Sequence, residues 1–144
     1  MIEAISQATP ADLEEMGAWR YEPPYDFYNG DLDPPLNPER WFVEHDEDGR
    51  ISGFFYYEQK GDTLDYGLGL RPDLVGRGLG LEFFRRGLEF GRERFRPKQV
   101  RLYVAAFNER AISVYKRAGF GETGRHMRSF PKFGDVEFVE MDEQ

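Results

Sequence analysis

The sequence predicts a single α/β domain with a mixed, mostly antiparallel central sheet flanked by helices. Three observations carry that prediction. Short strand-like runs are joined by tight turns such as Asp48-Gly49 and Lys60-Gly61-Asp62, the connections that antiparallel neighbours need. Two longer segments, starting near Gly78 and at Asn108, repeat apolar residues at helical spacing. A length of 144 residues without a repeat or a linker suits one compact unit able to bury its own core.

The elements follow in order. "IEAISQA" alternates weakly and reads as a first strand. Thr9 then Pro10 suits an N-cap followed by the first helical position, with Asp12 in the first turn, so a helix through about Trp19 is expected. The stretch "YEPPYDFYNGDLDPPLNPER" is too rich in proline for a long helix and reads as a loop with a short helical turn. Loops of that length tend to be functional. "RWFVEHDEDGRISGFFYYEQKGDTLDYGLGL" is three successive strands, the third ending before Pro72. From about Gly78, Leu79, Phe83, Phe84 and Leu88 are expected on one helical face, and Arg96-Pro97 stops that helix. "QVRLYVAA" is a strand with Val100, Leu102 and Val104 on one side. "NERAISVYKRAGF" is a short helix ended by Gly119, and "TGRHMRS" with "DVEFVEM" closes the chain as a hairpin.

Composition excludes several chemistries. The chain has no cysteine, which removes disulfides, thiolate metal sites and a cysteine nucleophile. Two histidines, His45 and His126, cannot build a multi-histidine metal centre, so no metal is expected. The N-terminal run carries acids and no apolar block, and no run approaches the roughly 18 apolar residues of a membrane span. A soluble, cytoplasmic protein is expected. The net charge of -8 is split unevenly along the chain. Residues 1–60 hold 14 acidic and 4 basic side chains, whereas residues 71–128 hold 14 basic and 6 acidic ones. Besides solubilising the surface, such a split suits a basic half that meets an anion and an acidic half that meets a cation. With a pI near 4.8, nucleic acid is not expected as a partner.

The sharpest feature is "LRPDLVGRGLGLEFF". Gly76, Gly78 and Gly80 stand at alternate positions where a helix opens. A helix N-terminus offers unpaired N–H groups and the positive end of a dipole, so glycines there allow backbone donors to converge on a phosphate. A Walker loop is ruled out because Leu81 and Glu82 stand where Lys and Ser or Thr are required. The glycine spacing also fails the dinucleotide fingerprint, and the acid at the end of a following strand is missing.

What fits is a resemblance to the GNAT superfamily of acetyl-CoA-dependent N-acetyltransferases. The pattern Q/R-x-x-G-x-G/A after a strand and a proline matches at Pro72, Gly78 and Gly80, with Val75 standing where Gln or Arg is usual. Downstream, N-x-x-A-x-x-x-Y-x-x-x-G-F is met in full at Asn108, Ala111, Tyr115, Gly119 and Phe120. The resemblance is specific over residues 64–120 and implies the GNAT fold over the whole chain.

It also implies roles. Backbone amides of Val75, Gly76, Arg77, Gly78, Leu79 and Gly80 would cradle the diphosphate of acetyl-CoA, and Arg77 could reach a phosphate or simply be solvated. Leu68 and Leu70 would offer backbone groups to the pantetheine while their side chains pack in the core. Asn108 would touch the cofactor, and a plain N-cap accounts for it equally. Tyr115 would protonate the departing thiolate, against a reading as a core tyrosine. For the base, Asp65, Glu58, His126, His45 and ordered water all compete. Asp65 shares a strand face with Gly67 and Gly69, so a ligand or a packed neighbour should fill the space there. The aromatic loop, with Trp19, Tyr21, Tyr25, Phe27 and Tyr28, would form the acceptor wall or plug the core. Together with Asp26, Asp31 and Asp33 it would favour a cationic amine, either a small molecule or a peptide. Homodimers are common in the fold, and a non-catalytic acyl-CoA-binding module is the rival reading.

Overall fold

The computed structural model describes residues 5–29 and 38–144. Its seven strands form one sheet in the order β1-β2-β3-β4-β5-β7-β6. They are β1 (Ile5–Gln7), β2 (Trp41–His45), β3 (Ile51–Lys60), β4 (Thr63–Leu70), β5 (Gln99–Ala105), β6 (Phe120–Phe130) and β7 (Gly134–Glu143). Every neighbouring pair is antiparallel except β4 with β5. Three α-helices accompany them: α1 (Pro10–Gly17), α2 (Gly80–Phe95) and α3 (Glu109–Arg117). The described residues carry the element order expected from the sequence, including residues 64–120 over which the resemblance is specific. Among the described residues no helix is long and apolar enough to cross a membrane.

Local chemistry explains the boundaries. Thr9 and Asp12 exchange backbone and side-chain hydrogen bonds at the start of α1, a capping box reinforced by Pro10. The Lys60–Thr63 hairpin turns at Gly61 with φ +62°, and α3 ends at Gly119 with φ +96°. Tyr25–Tyr28 forms a 3₁₀ turn within the aromatic loop.

The main core lies between the sheet and the α2–α3 layer. Phe55, Tyr57, Tyr66, Phe83, Phe84, Val100, Leu102 and Val104 are all buried there. Helix α2 approaches unusually closely because it offers glycine to the sheet. A Cβ on Gly87 would overlap the Tyr66 hydroxyl and the Phe55 ring, and one on Gly91 would come within 2.7 Å of Tyr57. The close approach lets two tyrosines of the sheet donate to α2 carbonyls, Tyr57 to Gly87 at 2.6 Å and Tyr66 to Phe84 at 2.8 Å. Leu79 departs from the expected helical face. It sits at the N-cap of α2 rather than inside the helix and is 43% exposed. On the other sheet face, Leu13 and Met16 of α1 pack with Val43 and Ile51. A register shift between Glu44 and His45 turns Ile51 toward that layer.

Candidate functional site

The glycine loop is built by what precedes it. Arg71 is buried and anchors the end of β4 by donating to the Ile51 carbonyl at 2.9 Å and clasping Asp73. Pro72–Leu74 then makes one 3₁₀ turn, and the chain enters left-handed backbone at Gly76 (φ +81°) and Gly78 (φ +77°). Residues with a Cβ resist that conformation. Among the described residues, the N–H groups of Gly76, Arg77, Gly78 and Leu79 meet no protein acceptor. Helix α2 has no side-chain cap, so the N–H groups of its first turn are uncommitted as well. The result is a run of free donors at the positive end of a 16-residue helix, a seat for an anion.

A cleft opens beside this loop. The Arg71 N–H donates to the Ser52 carbonyl at 2.9 Å, so odd residues along β4 aim their backbone groups at β3. Even residues, Leu64 to Leu70, therefore aim theirs at β5. That side is paired only at Thr63↔Gln99, Leu64↔Val100 and Asp65↔Arg101. Beyond Asp65 the strands part, β5 continuing on β7 from Arg101 to Ala105 and β4 continuing on β3. Leu68 and Leu70 thus face a gap in the sheet with backbone groups, while their side chains pack against the core. One of those groups is already engaged, since the Tyr21 hydroxyl donates to the Leu70 carbonyl at 2.7 Å.

At the far wall, Asn108 does two things with one amide. Its Oδ1 accepts from the Ala111 N–H at 3.1 Å, capping α3, and its Nδ2 donates to the Tyr28 hydroxyl at 3.1 Å. Tyr115 is buried against Phe84, ring centroids 5.1 Å apart. Its hydroxyl bonds to no described residue, yet no described buried polar atom lacks a partner. The oxygen must therefore open onto accessible space. Burial, followed by the nearby Tyr28 phenol, raises the Tyr115 pKa, so the hydroxyl keeps its proton at neutral pH.

The proposed bases are scattered. Asp65 is buried at the closed end of the cleft and ion-paired to Lys60 at 2.9 Å. It lies three positions from Leu68, about 10 Å along a strand, so it stands toward the opposite end of β4 from the glycine loop. The space beside it has another explanation, because a Cβ on Gly69 would lie 2.5 Å from the Phe54 ring. Glu58 pairs with Arg40 at 3.0 Å, His45 lies 4.0 Å from Asp12, and His126 accepts from Arg128 at 2.8 Å. No group of three or more metal-ligating side chains occurs among the described residues.

The aromatic loop both plugs and lines. Phe27 packs edge-on against Phe107, Phe130 and Phe133. Tyr21 and Tyr28 instead spend their hydroxyls on the cleft, a link between residues 49 and 80 positions apart that local periodicity cannot reveal. Asp31 and Asp33 lie outside the described residues. The ring of Tyr25 is covered by the guanidinium of Arg110 at 4.8 Å, so the cation on that ring belongs to the protein itself. Arg110 was legible only as one residue inside "NERA", next to the matched Ala111.

Comparison with known proteins adds to this geometry. The sequence pattern of the acetyltransferase (GNAT) family matches residues 4–120. A mycothiol acetyltransferase of Clavibacter sepedonicus is 39% identical over 98 residues, covering 63% of this chain and 32% of that protein. Another, of Streptomyces avermitilis, is 36% identical over 120 residues, covering 81% and 37%. This chain thus spans about a third of the length of the curated relatives it matches. Among solved structures, a spermidine N-acetyltransferase of Vibrio cholerae in complex with CoA and spermine shares the fold, with TM-score 0.71 at 17% identity. That superposition covers 96% of this chain and 92% of the other.

Proposed function

The chain belongs to the GNAT acetyltransferase family, and from that premise we propose that it moves the acetyl group of acetyl-CoA to a primary amine by direct attack in a ternary complex. The observation that carries this reading is the run of uncommitted N–H groups from Gly76 to Leu79 at the start of α2, joined by the parting of β4 from β5 and by a protonated Tyr115 hydroxyl that bonds to no described residue. Bound acetyl-CoA would supply an activated thioester as acetyl donor.

The residues present fit such a group. The glycine loop and the first turn of α2 would hold the diphosphate through backbone donors, with Arg77 at the rim. Leu68 would hydrogen-bond the amides of the pantetheine from the open side of β4, and Asn108 would meet the same arm from the start of α3. Tyr115 would donate a hydrogen bond to the leaving sulfur. A thiol has a pKa of about 8.5, below that of a phenol raised by burial, so this hydroxyl stabilises the developing thiolate more than it surrenders its proton. The ammonium of the acceptor would lose its proton to ordered water, since Asp65 is engaged by Lys60 at the other end of the strand.

For the acceptor we infer a cationic amine. The support is the excess of 14 acidic over 4 basic residues in positions 1–60, which include the loop over the cleft. A turnover screen with acetyl-CoA over peptide N-termini, lysine, polyamines and mycothiol-related amines, read by mass spectrometry, tests the reading. Expected is a single acetylated primary amine with release of one CoA. Tight CoA binding with no amine acetylated across the panel would mean an acyl-CoA-binding module instead.

A further inference from the structure

Arg110 stands in the first turn of α3, exposed, and no carboxylate lies within 4.0 Å of it among the described residues. Its surroundings are nevertheless specific. A Cβ built on Gly76 would lie 3.8 Å from Cζ, Nη1 and Nη2 alike, so the flat face of the guanidinium lies across that glycine. Tyr25 covers the group from its own ring at 4.8 Å. Gly76 and Tyr25 thus both border the guanidinium, which places its N–H donors beside the glycine loop. The start of α2 is close by as well, since a Cβ on Gly80 would lie 3.4 Å from Val114, one turn further along α3.

We propose that Arg110 is a phosphate-binding residue for the cofactor's diphosphate, presented beside the glycine loop by stacking on Tyr25. The assignment rests on the acetyl-CoA reading above. A guanidinium is charged at any working pH and carries five donors in a fork that matches phosphate oxygens two at a time. Backbone N–H groups from Gly76 to Leu79 supply partial charge only, so a diphosphate seated there is left with charge to neutralise. Arg110 is a full positive charge at that rim with no competing carboxylate among the described residues. Stacking matters because an arginine held in place loses less rotamer freedom on binding than a free one. The contact has a second consequence. Tyr25 belongs to the same 3₁₀ turn as Tyr28, which is bonded to Asn108. The aromatic loop is thereby pinned to two residues at the α3 start, Asn108 and Arg110.

The test measures binding and needs no turnover. Wild type, Arg110→Ala, Arg110→Lys and Tyr25→Leu are titrated with CoA, with dephospho-CoA, which keeps the diphosphate but lacks the 3′-phosphate, and with pantetheine, which has no phosphate. Calorimetry serves the first two ligands and ligand-observed NMR the third. Arg110→Ala should weaken CoA and dephospho-CoA equally, by about ten- to a hundredfold, as expected for a charge-assisted bidentate contact. Pantetheine should be unaffected. Arg110→Lys should fall between, because a point charge lacks the fork, and Tyr25→Leu should lose a fewfold through the same two ligands. A loss for CoA alone would move Arg110 to the 3′-phosphate and overturn the assignment. An equal loss for all three ligands, or none for any, would overturn it too. Wild-type protein that binds none of the three refutes the acetyl-CoA reading itself, and this assignment with it.

Discussion

Replacing Tyr115 with Phe removes one hydroxyl oxygen and little else. The hydroxyl has no partner among the described residues, so its deletion orphans no buried group, and the ring keeps its contact with Phe84 at 5.1 Å. Stability should therefore stay within about 0.5 kcal/mol of wild type. Turnover should respond differently. A hydrogen bond to a charged partner is worth about 1.5–3 kcal/mol, which at 1.36 kcal/mol per decade spans about ten- to a hundred-and-fiftyfold. Burial raises the phenol above its ordinary range while the thiol stays near 8.5, so complete proton transfer runs uphill. The lower part of the range applies, about ten- to fiftyfold in kcat, with CoA affinity unchanged. The raised pKa also sets the pH behaviour. A group whose pKa lies above 10 keeps its proton throughout pH 7 to 10, so the ratio of wild-type to Tyr115→Phe kcat should be flat over that window. Steady-state kinetics against pH, with calorimetry for CoA, measure both quantities. Equal kcat in the two proteins would return Tyr115 to a packing role, and a ratio that collapses toward one between pH 8 and 9 would refute the pKa argument.

Three further outcomes are expected. Gly78→Glu should abolish measurable CoA binding while the fold survives, because φ +77° costs a side chain about 1–2 kcal/mol and nothing lies within 4 Å of its Cβ position; calorimetry and circular dichroism read the two halves. Gly87→Leu should destabilise by about 3 kcal/mol or more in urea unfolding, since the new side chain collides with Phe55 and Tyr66 and overpacking outweighs the helix-propensity gain of about 1 kcal/mol. Apparent KM for the favoured amine should rise with ionic strength if acidic residues near the cleft hold an ammonium; a preferred acceptor of net negative charge with a salt-independent KM would sink the cationic reading.

Much of this architecture is written in local chemistry. Thr9-Pro10, Asp48-Gly49, Gly61 and Gly119 punctuate the chain through their own backbone preferences, so element order and the antiparallel sheet follow from short windows. The glycine loop is legible for the same reason. What local windows cannot hold is partnership across distance. Leu79 satisfied a helical period yet faces solvent, because the helix begins one residue later and its first face points at the loop. Gly87 and Gly91 stood four apart in plain view, but their meaning depends on Tyr57 and Tyr66 arriving from another strand. Asp65 shared a strand face with two glycines, and only the structure shows Phe54 filling one space and Lys60 neutralising the carboxylate. Tyr21, Tyr28 and Arg110 acquire roles through partners dozens of positions away.

The parting of β4 from β5 also bears on mechanics. Among the described residues, three residue pairs and the Asp62 carbonyl, which accepts from the Lys98 and Gln99 N–H groups, stitch the four-strand sub-sheet β1–β4 to the three-strand sub-sheet β5–β7–β6 through backbone bonds. The molecule is in effect two plates joined by a short seam, with α2 and α3 laid across the join like a bracket. A ligand lying in the opening and bonding both sides acts as a splint. It would stiffen the seam as well as occupy it, and mass action makes the gain about 2.7 kcal/mol at a ligand concentration a hundred times Kd. Amide exchange at Leu68 and at Leu70, on the torn edge, should therefore be among the fastest in the sheet without ligand, and should slow out of proportion to the rest when the opening is bridged.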